Sequence, residues 1–371
     1  MPLANPTHLD TRTAEGLLYA RLPDDAVRCV ACGHRCLIRE GRRGICKVRY
    51  NQGGTLRVPR NYVAALQCDP VEKKPFFHVL PGANALTFGM LGCDFHCGYC
   101  QNWMTSQSLR DERSTTNAID MTAEQLVDHA ARCDARLTVS SYNEPLITSE
   151  WAVEVFGSAR SRGMVTGFVS NGNATAEALD FVRPHADCYK IDLKTMHEQR
   201  YRQLGGVLQN VLDSIRMVHE RGFWLEVLTL VIPGFSSDHG ELRAAAKYIA
   251  SVSPDIPWHV TAFHEDYKFH GMGSTAVEHL IAACEIGANA GLNFVYAGNL
   301  PGRVGRWEHT WCPSCDAPLV ERRGYHILAN RIAADGRCPG CAAVVPGLWR
   351  NPRGASEPSR GHGSVRALAS Q

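Results

Sequence analysis

Residues 93–100 read Cys-Asp-Phe-His-Cys-Gly-Tyr-Cys, and the interpretation of the rest of the chain starts from this stretch. Its three cysteines, Cys93, Cys97 and Cys100, are close enough in sequence to bind one small inorganic core within a single loop. Three thiolates on a cubane iron–sulfur cluster leave its fourth iron without a protein ligand, and an open metal position is typical of catalytic sites. A zinc knuckle, or chance grouping in a cysteine-rich chain, is the alternative explanation of this spacing.

Short apolar runs on either side of this loop predict strands separated by helical segments. Two of these helical segments begin with residues in capping-box spacing, Thr122 with Gln125 and Thr275 with Glu278. Strands that alternate with helices predict an α/β fold with parallel strands joined by crossover helices, and active sites of barrels built this way lie at the carboxyl ends of the strands. The strand candidates are residues 85–92, 136–142, 165–171, 188–193, 224–232 and 258–263, with 293–296 as a seventh.

The composition is that of an ordinary globular protein. The 371 residues are 44% hydrophobic and 20% charged, and a net charge of +2 gives no basic field that would point to nucleic acid. Residues 1–15 lack the basic and apolar regions of a secretory signal, and no apolar run reaches the length of a membrane span. Fifteen cysteines in such a chain indicate thiolates that bind metal, and a cytoplasmic location.

The pattern Cys-x3-Cys-x2-Cys after a first strand resembles the signature of the radical S-adenosylmethionine (SAM) superfamily. The resemblance implies a 4Fe-4S cluster on Cys93, Cys97 and Cys100, whose open iron is chelated by the amino and carboxylate groups of SAM. Reductive cleavage of SAM then gives a 5′-deoxyadenosyl radical that abstracts hydrogen. Six strand–helix units match the partial (β/α)6 TIM-like barrel of this superfamily better than a doubly wound sheet.

Several segments resemble one subfamily more closely, the AmmeMemoRadiSam system radical SAM enzyme, which is related to pyruvate formate-lyase activating enzyme. The resemblance extends from about Cys29 to about Trp349. It implies an electron donor such as flavodoxin or ferredoxin, with a protein substrate or a Memo-family protein as further candidate partners. The segments that carry it are residues 69–82, 97–103, 141–145, 225–234, 262–264 and 295–299.

Polar residues in the loop and after successive strands are the candidates for binding SAM. Glu144 matches the Gly-Gly-Glu-Pro motif of the superfamily, although Tyr142 and Asn143 replace its glycines. Asp192 and Lys194 resemble a SAM-contacting pair of pyruvate formate-lyase activating enzyme. A surface ion pair, a satisfied core histidine and a simple turn are the alternative explanations for these positions. The full set of candidates is Tyr99, Glu144, Ser170, Asn171, Asp192, Lys194 and His264.

Two further cysteine groups lie outside the predicted barrel. Near the amino terminus, four cysteines predict a zinc site or a second cluster, with His34 as an alternative ligand and reduced structural cysteines as the other possibility. Near the carboxyl terminus, two Cys-x2-Cys pairs predict a zinc ribbon that acts as a structural cap or docking module. The two sets are Cys29, Cys32, Cys36 and Cys46, and Cys312, Cys315, Cys338 and Cys341.

The chain therefore divides into four predicted parts. They are an amino-terminal cysteine module with a linker (1–68), the barrel (69–308), the ribbon (309–349) and a disordered tail (350–371). Within the barrel, the prolines and paired lysines of residues 69–82 predict an ordered connection without regular structure, with its charges in solvent.

A radical SAM enzyme acting on an unidentified substrate is the favoured function. Activation of a glycyl-radical enzyme is the first alternative. A non-catalytic iron–sulfur or zinc protein, with a redox or scaffold role, is the alternative from another class.

Overall fold

The computed structural model describes residues 9–353. The strands are Thr13–Glu15 (β1), Tyr19–Arg21 (β2), Val27–Cys29 (β3), Leu37–Ile38 (β4), Tyr50–Gln52 (β5), Thr55–Pro59 (β6), Tyr62–Val63 (β7), Ala65–Pro70 (β8), Asn84–Gly89 (β9), Ile119–Asp120 (β10), Ala135–Ser140 (β11), Val165–Ser170 (β12), Cys188–Asp192 (β13), Trp224–Val231 (β14), Trp258–Ala262 (β15), Val295–Gly298 (β16), Thr310–Trp311 (β17), Pro318–Arg323 (β18) and His326–Asn330 (β19). The α-helices are Trp103–Ser106 (α1), Ala123–Arg132 (α2), Ser149–Ser161 (α3), Ala176–Val182 (α4), Glu198–Gln203 (α5), Leu208–Glu220 (α6), His239–Val252 (α7) and Val277–Asn289 (α8).

An eight-stranded sheet forms the centre of the molecule, in the order β16-β15-β14-β13-β12-β11-β9-β8. Strands β9 and β11 to β16 are parallel, and β8 lies antiparallel to β9 at one edge. Because the parallel strands follow one another in sequence order, the sheet has no point at which the strand order reverses, unlike a doubly wound sheet. The predicted α/β fold, a partial TIM-like barrel, is confirmed.

The two faces of the sheet have different neighbours, because successive side chains of a strand point to opposite sides. Leu86 and Phe88 of β9 belong to the large apolar cluster that includes the helices. Ala85 faces the other way and packs with Val71 and Phe76, which come from the segment before β9. The inner face of the barrel is therefore covered at its lower end, where the parallel strands begin.

The predicted strands all form, including the seventh, but one strand of the central sheet was missed. Strand β8 crosses the expected boundary between residues 68 and 69, so the predicted linker contributes an edge strand to the barrel. The expectation that the charges of this segment lie in solvent holds for Lys73, which is exposed, but is wrong for two of its neighbours. Glu72 and Lys74 are buried, and the ammonium of Lys74 lies 3.0 Å from the carboxylate of Asp69.

One of the two predicted capping boxes is present. The Thr122 side chain accepts from the backbone N–H of Gln125, and the Gln125 side chain accepts from Thr122 N–H. The prediction of a capping box at Thr275 is wrong, because α8 begins one residue later and its N-cap is Ala276. The Thr275 hydroxyl instead accepts from Phe263 N–H and donates to Val231 O, which joins the ends of β14 and β15.

The smaller parts pack on the barrel. Two three-stranded sheets, β1-β6-β5 and β2-β3-β4, precede it, and their buried apolar residues belong to the same cluster as the barrel helices. The ribbon strands form the antiparallel sheet β17-β18-β19. Of the predicted tail, Arg353 forms an ion pair with Asp187 at 2.6 Å, and residues 354–371 lie outside the described part of the chain. Among the described residues, no helix has the length and apolar character needed to cross a membrane.

Candidate active site at the carboxyl ends of the strands

The three loop cysteines follow β9, and two of their sulfurs, those of Cys93 and Cys100, have polar partners. Phe95 N–H donates to Cys93 Sγ at 3.4 Å, and the Ser106 hydroxyl lies 3.2 Å from Cys100 Sγ. Such donors stabilise the negative charge of metal-bound thiolates and tune iron–sulfur centres. Three thiols in one loop, two of them with polar partners at their sulfurs, fit a 4Fe-4S cluster.

Asp94 connects this loop to the end of β12. Its carboxylate is fully buried and accepts from the side-chain amides of Asn171 at 2.7 Å and Asn173 at 2.9 Å. Sequence reasoning did not select Asp94, although its position beside Cys93 was an available signal. By holding the end of β12 against the loop, Asp94 fixes the position of Cys93 relative to the strands.

Glu144, Ser170 and Asn171 come together as a second connected group. The Glu144 carboxylate accepts from the Ser170 hydroxyl at 2.8 Å, from Asn171 N–H at 2.7 Å and from Leu146 N–H at 3.0 Å. Burial and the nearby charge of Asp94 raise the pKa of Glu144. Because both carboxylate oxygens already accept hydrogen bonds, this side chain joins the ends of β11 and β12.

The backbone next to Glu144 keeps a glycine-like conformation without glycine. Tyr142 has a φ of 67°, in the left-handed region that costs a non-glycine residue about 1–2 kcal/mol. Its hydroxyl lies 3.2 Å from the ammonium of the buried Lys74, and its carbonyl accepts from the Thr105 hydroxyl at 2.9 Å. These contacts hold the turn in place.

Asp192 and Lys194 also come together, and the structure adds Lys190. The Asp192 carboxylate lies 2.7 Å from Lys190 Nζ and 3.4 Å from Lys194 Nζ. Lys190 shares the inner face of β13 with Asp192, because the two are separated by two positions. Burial lowers the pKa of Lys190, whereas for Lys194 the charges of Asp192 and Cys97 outweigh burial and raise the pKa. Lys190 is buried and Lys194 is partly exposed, and both ammonium groups lie beside the Asp192 carboxylate.

Tyr99 and His264 occupy different surroundings. Tyr99 is buried, with its ring centroid 5.5 Å from that of Phe235 and 5.3 Å from that of Phe269. His264 is exposed, and its Nε2 lies 2.9 Å from the side-chain amide nitrogen of Gln101. His264 therefore lies at the open edge of the site, away from the buried polar groups.

Glu226, at the fifth strand, lies at the opposite end of the barrel from the cysteine loop. Its carboxylate accepts from the backbone N–H groups of Phe77 and His78, at 3.0 and 2.9 Å, and from His259 Nε2 at 2.6 Å. Burial alone would raise the pKa of Glu226, but the His259 contact and the other donors lower it to about 2. Glu226 thus anchors the segment that covers the lower end of the barrel.

The ribbon cysteines converge on a point that could hold one metal ion. The sulfurs of Cys312 and Cys341 are 3.5 Å apart, those of Cys315 and Cys338 are 3.7 Å apart, and all four lie within 4.8 Å of one another. Zn–S bonds of about 2.3 Å place tetrahedral sulfurs about 3.8 Å apart. The spacing therefore suits zinc.

Comparison with known proteins assigns the family. The model of the radical SAM superfamily matches residues 88–245, which include the cysteine loop and the ends of β11 to β13. The chain is also 33% identical, over 334 residues, to an uncharacterized protein of Methanocaldococcus jannaschii, a match that covers 89% of this chain and 98% of that protein. The chain belongs to the radical SAM superfamily. It is an enzyme of this superfamily.

Activating enzymes are among its more distant relatives. The chain is 28% identical over 155 residues to the isethionate sulfite-lyase activating enzyme of Desulfovibrio desulfuricans, covering 40% of this chain and 49% of that protein. A domain of pyruvate-formate lyase-activating enzyme from Bacteroides vulgatus superposes with a TM-score of 0.39 and 21% identity, over 43% of this chain and 98% of that domain.

Proposed function

We propose that this enzyme binds a 4Fe-4S cluster through Cys93, Cys97 and Cys100 and cleaves SAM reductively to abstract hydrogen from a substrate still to be identified. The observation that carries the proposal is the group of three thiols in one loop, two of them with polar partners at their sulfurs, beside the charged Asp192–Lys194 pair. The chemistry supplied at such a site is one-electron reduction of SAM, which releases a 5′-deoxyadenosyl radical.

The residues of the chain position SAM in this proposal. Lys194 has the charge and burial to pair with the SAM carboxylate, since its ammonium retains a proton. Ser170 and Asn171 are placed beside the cofactor by the Glu144 carboxylate, which fixes their loop. The buried ring of Tyr99 supplies an apolar wall, and His264 lies where it contacts a ligand entering from solvent.

The buried ammonium of Lys190 favours a substrate that carries a negatively charged group. The lysine faces the inside of the barrel, where a molecule placed beneath SAM would lie, and a buried cation stabilises an anion more strongly than an exposed one does. The test is to fractionate small molecules from cell extract by anion exchange. The fraction that stimulates 5′-deoxyadenosine formation should be retained on the column, and Lys190→Met should respond to it less than the unmodified protein does.

A substrate other than a glycyl-radical enzyme remains our preference. The amino-terminal module reaches the loop end of the barrel, because Gly33 N–H donates to Asn173 O at 2.8 Å, and this partly encloses the site. The likeness to activating enzymes keeps glycyl-radical formation as the second candidate. Electron paramagnetic resonance (EPR) distinguishes the two, since a glycyl-radical doublet formed on a co-incubated enzyme, and dependent on Cys93, would contradict our preference.

We further propose that the enzyme works in the cytoplasm with flavodoxin or ferredoxin as its electron donor, that a Memo-family protein is a partner, and that the ribbon binds zinc. The close spacing of the ribbon sulfurs supports the zinc assignment.

The central experiment is anaerobic reduction of the purified protein with SAM. We expect 5′-deoxyadenosine as a product, and its complete absence from reduced, iron-loaded protein would contradict the proposed function.

A further inference from the structure

The amino-terminal cysteines form a second site at the same end of the barrel. Cys29 ends β3 and Cys36 precedes β4, and Cys29 N–H donates to Cys36 O at 3.0 Å, so the two lie opposite each other across a hairpin. Cys32 lies in the turn of that hairpin. The loop that carries Cys46 packs against it, since a Cβ at Gly44 would lie 3.6 Å from Cys36 Sγ. The four thiols therefore lie on neighbouring segments within 18 residues of chain.

We propose that Cys29, Cys32, Cys36 and Cys46 bind a second iron–sulfur cluster beside the first. Four thiolates complete the ligand set of a cubane, so this cluster has no open iron and does not bind SAM. The proposal concerns a separate set of ligands and does not depend on SAM cleavage at Cys93.

The spacing of the sulfurs favours a cluster over zinc. The ribbon sulfurs lie within 4.8 Å of one another, as a single zinc ion requires. Among the described residues, no three of the amino-terminal thiols meet that distance, and the triad of Cys93, Cys97 and Cys100 does not meet it either. Thiolates on a cubane bind different irons and therefore stand farther apart than thiolates on one ion. The amino-terminal group thus resembles the triad and differs from the ribbon.

Buried polar atoms beside these thiols also suit a charged group. Arg49 is 1% exposed and lies within electrostatic reach of Cys29 and Cys46, and its Nε has no hydrogen-bond partner among the described residues. His34 Nε2 is likewise buried without a hydrogen-bond partner in the described structure. The Arg49 guanidinium donates to the Glu150 carboxylate from Nη1 at 2.9 Å and from Nη2 at 2.6 Å, which leaves Nε–H as its unused donor within the part of the chain that the structure describes.

A short connection joins this site to the first cluster loop. The carbonyl of Asn173 accepts from Gly33 N–H at 2.8 Å, and the Asn173 amide donates to Asp94 at 2.9 Å. The contact at Gly33 is close, because a Cβ there would lie 2.3 Å from Asn173 Oδ1. Asp94 directly follows Cys93. The second cluster would therefore lie beside the first, with one shared carboxylate between their loops.

The test uses full-length protein purified without oxygen, with Cys93, Cys97 and Cys100 all changed to Ala. We expect this triple variant to keep about four irons and four sulfides per chain, with an EPR signal on reduction that SAM does not change. Adding Cys29→Ala and Cys32→Ala should remove that iron and leave ribbon zinc unchanged. Cys284→Ala, a buried cysteine outside the three groups, is the matched control and should leave the iron content unaltered.

Two results would overturn the proposal. If the triple variant binds a second zinc in addition to the ribbon zinc, and no iron, the amino-terminal site is a zinc site. If it binds neither iron nor a second zinc, the four thiols are structural residues. If the variants do not fold, the unmodified protein decides, because a second cluster predicts about eight irons and two EPR signals, of which SAM alters one. A single SAM-sensitive signal with about four irons would count against it. Failure of SAM cleavage with two clusters present would instead contradict the proposed function.

Discussion

Tyr142 holds a backbone conformation that glycine adopts far more readily than other residues. Its φ lies in the left-handed region that glycine adopts without steric cost, and contacts with Lys74 and Thr105 offset the cost of the tyrosine. The turn before Glu144 therefore forms with Tyr142 and Asn143 in the positions where the motif has glycines. The Tyr142 side chain points towards the edge strand β8, whose Asp69 is paired with Lys74.

The first prediction concerns the three loop cysteines individually. Changing Cys93, Cys97 or Cys100 to Ala removes one of three protein bonds to the cluster, so we expect loss of the SAM-sensitive EPR signal and of 5′-deoxyadenosine formation. Cys284→Ala should retain both. A single variant with a full, reducible cluster and normal SAM cleavage would refute the ligand assignment.

The second prediction separates Lys194 from Lys190. Lys194→Met removes the cation proposed to pair with the SAM carboxylate, a charge-assisted hydrogen bond worth about 1.5–3 kcal/mol, so the Kd for SAM should rise about 10- to 100-fold. Lys190→Met removes the same charge from the other side of Asp192 and should leave that Kd within about threefold. Calorimetric titration of the iron-loaded proteins measures both, and equal losses would show that Lys194 acts only through Asp192.

At the level of elements, the ribbon and the segment before β9 together cover the lower end of the barrel. Arg322 of β18 donates to Phe77 O at 2.8 Å and to the Thr310 hydroxyl at 2.8 Å. The Tyr296 hydroxyl lies 2.9 Å from Thr310 Oγ1 and 2.6 Å from His78 Nε2. The ribbon is thus joined to β16 and to the covering segment, far from the cysteine loop.

The third prediction concerns the metal of the ribbon. Structural zinc contributes on the order of 10 kcal/mol to modules of this kind, so Cys338→Ser should lose one zinc per chain and destabilise the ribbon first. Hydrogen exchange of β18 and β19 should speed up while that of β12 and β13 stays slow. Cys68→Ser, outside the metal groups, is the control. Unchanged zinc content in Cys338→Ser would contradict the site.

At the level of the whole molecule, buried histidines tie stability to pH. His78 Nδ1 lies 2.7 Å from Pro346 O, a pure acceptor, so Nδ1 carries the proton and Nε2 accepts from Tyr296. This is the neutral imidazole. Burial lowers the pKa of His78 to about 4, with opposing charges from Glu226 and Arg322 nearby.

The fourth prediction follows from that pKa. The unfolded chain takes up a proton on His78 near pH 6.5 and the folded chain only near pH 4, so the contribution to stability is present above pH 6.5 and is lost as the pH falls towards 4. The loss amounts to about 3 kcal/mol. Urea unfolding between pH 7.5 and 4 should show a shallower decline for His78→Gln than for the unmodified protein. Parallel curves of stability against pH for the two proteins would contradict the prediction. Acid loss of metal lowers the stability of both proteins alike, so it does not produce a difference between the curves.

Sequence patterns determined those features that depend on local spacing. The cysteine intervals of 93–100 and of the ribbon, the alternation of strands and helices, and the Thr122 cap are all read over a few residues, and they predicted the fold and the position of the cysteine loop. Tertiary structure alone decided what depends on distant partners. Strand β8 exists because it pairs with β9, and Glu226 and Lys190 acquire their roles from the strands and segments around them. Pairing and burial are long-range, and they leave no signal in the spacing of a single sequence.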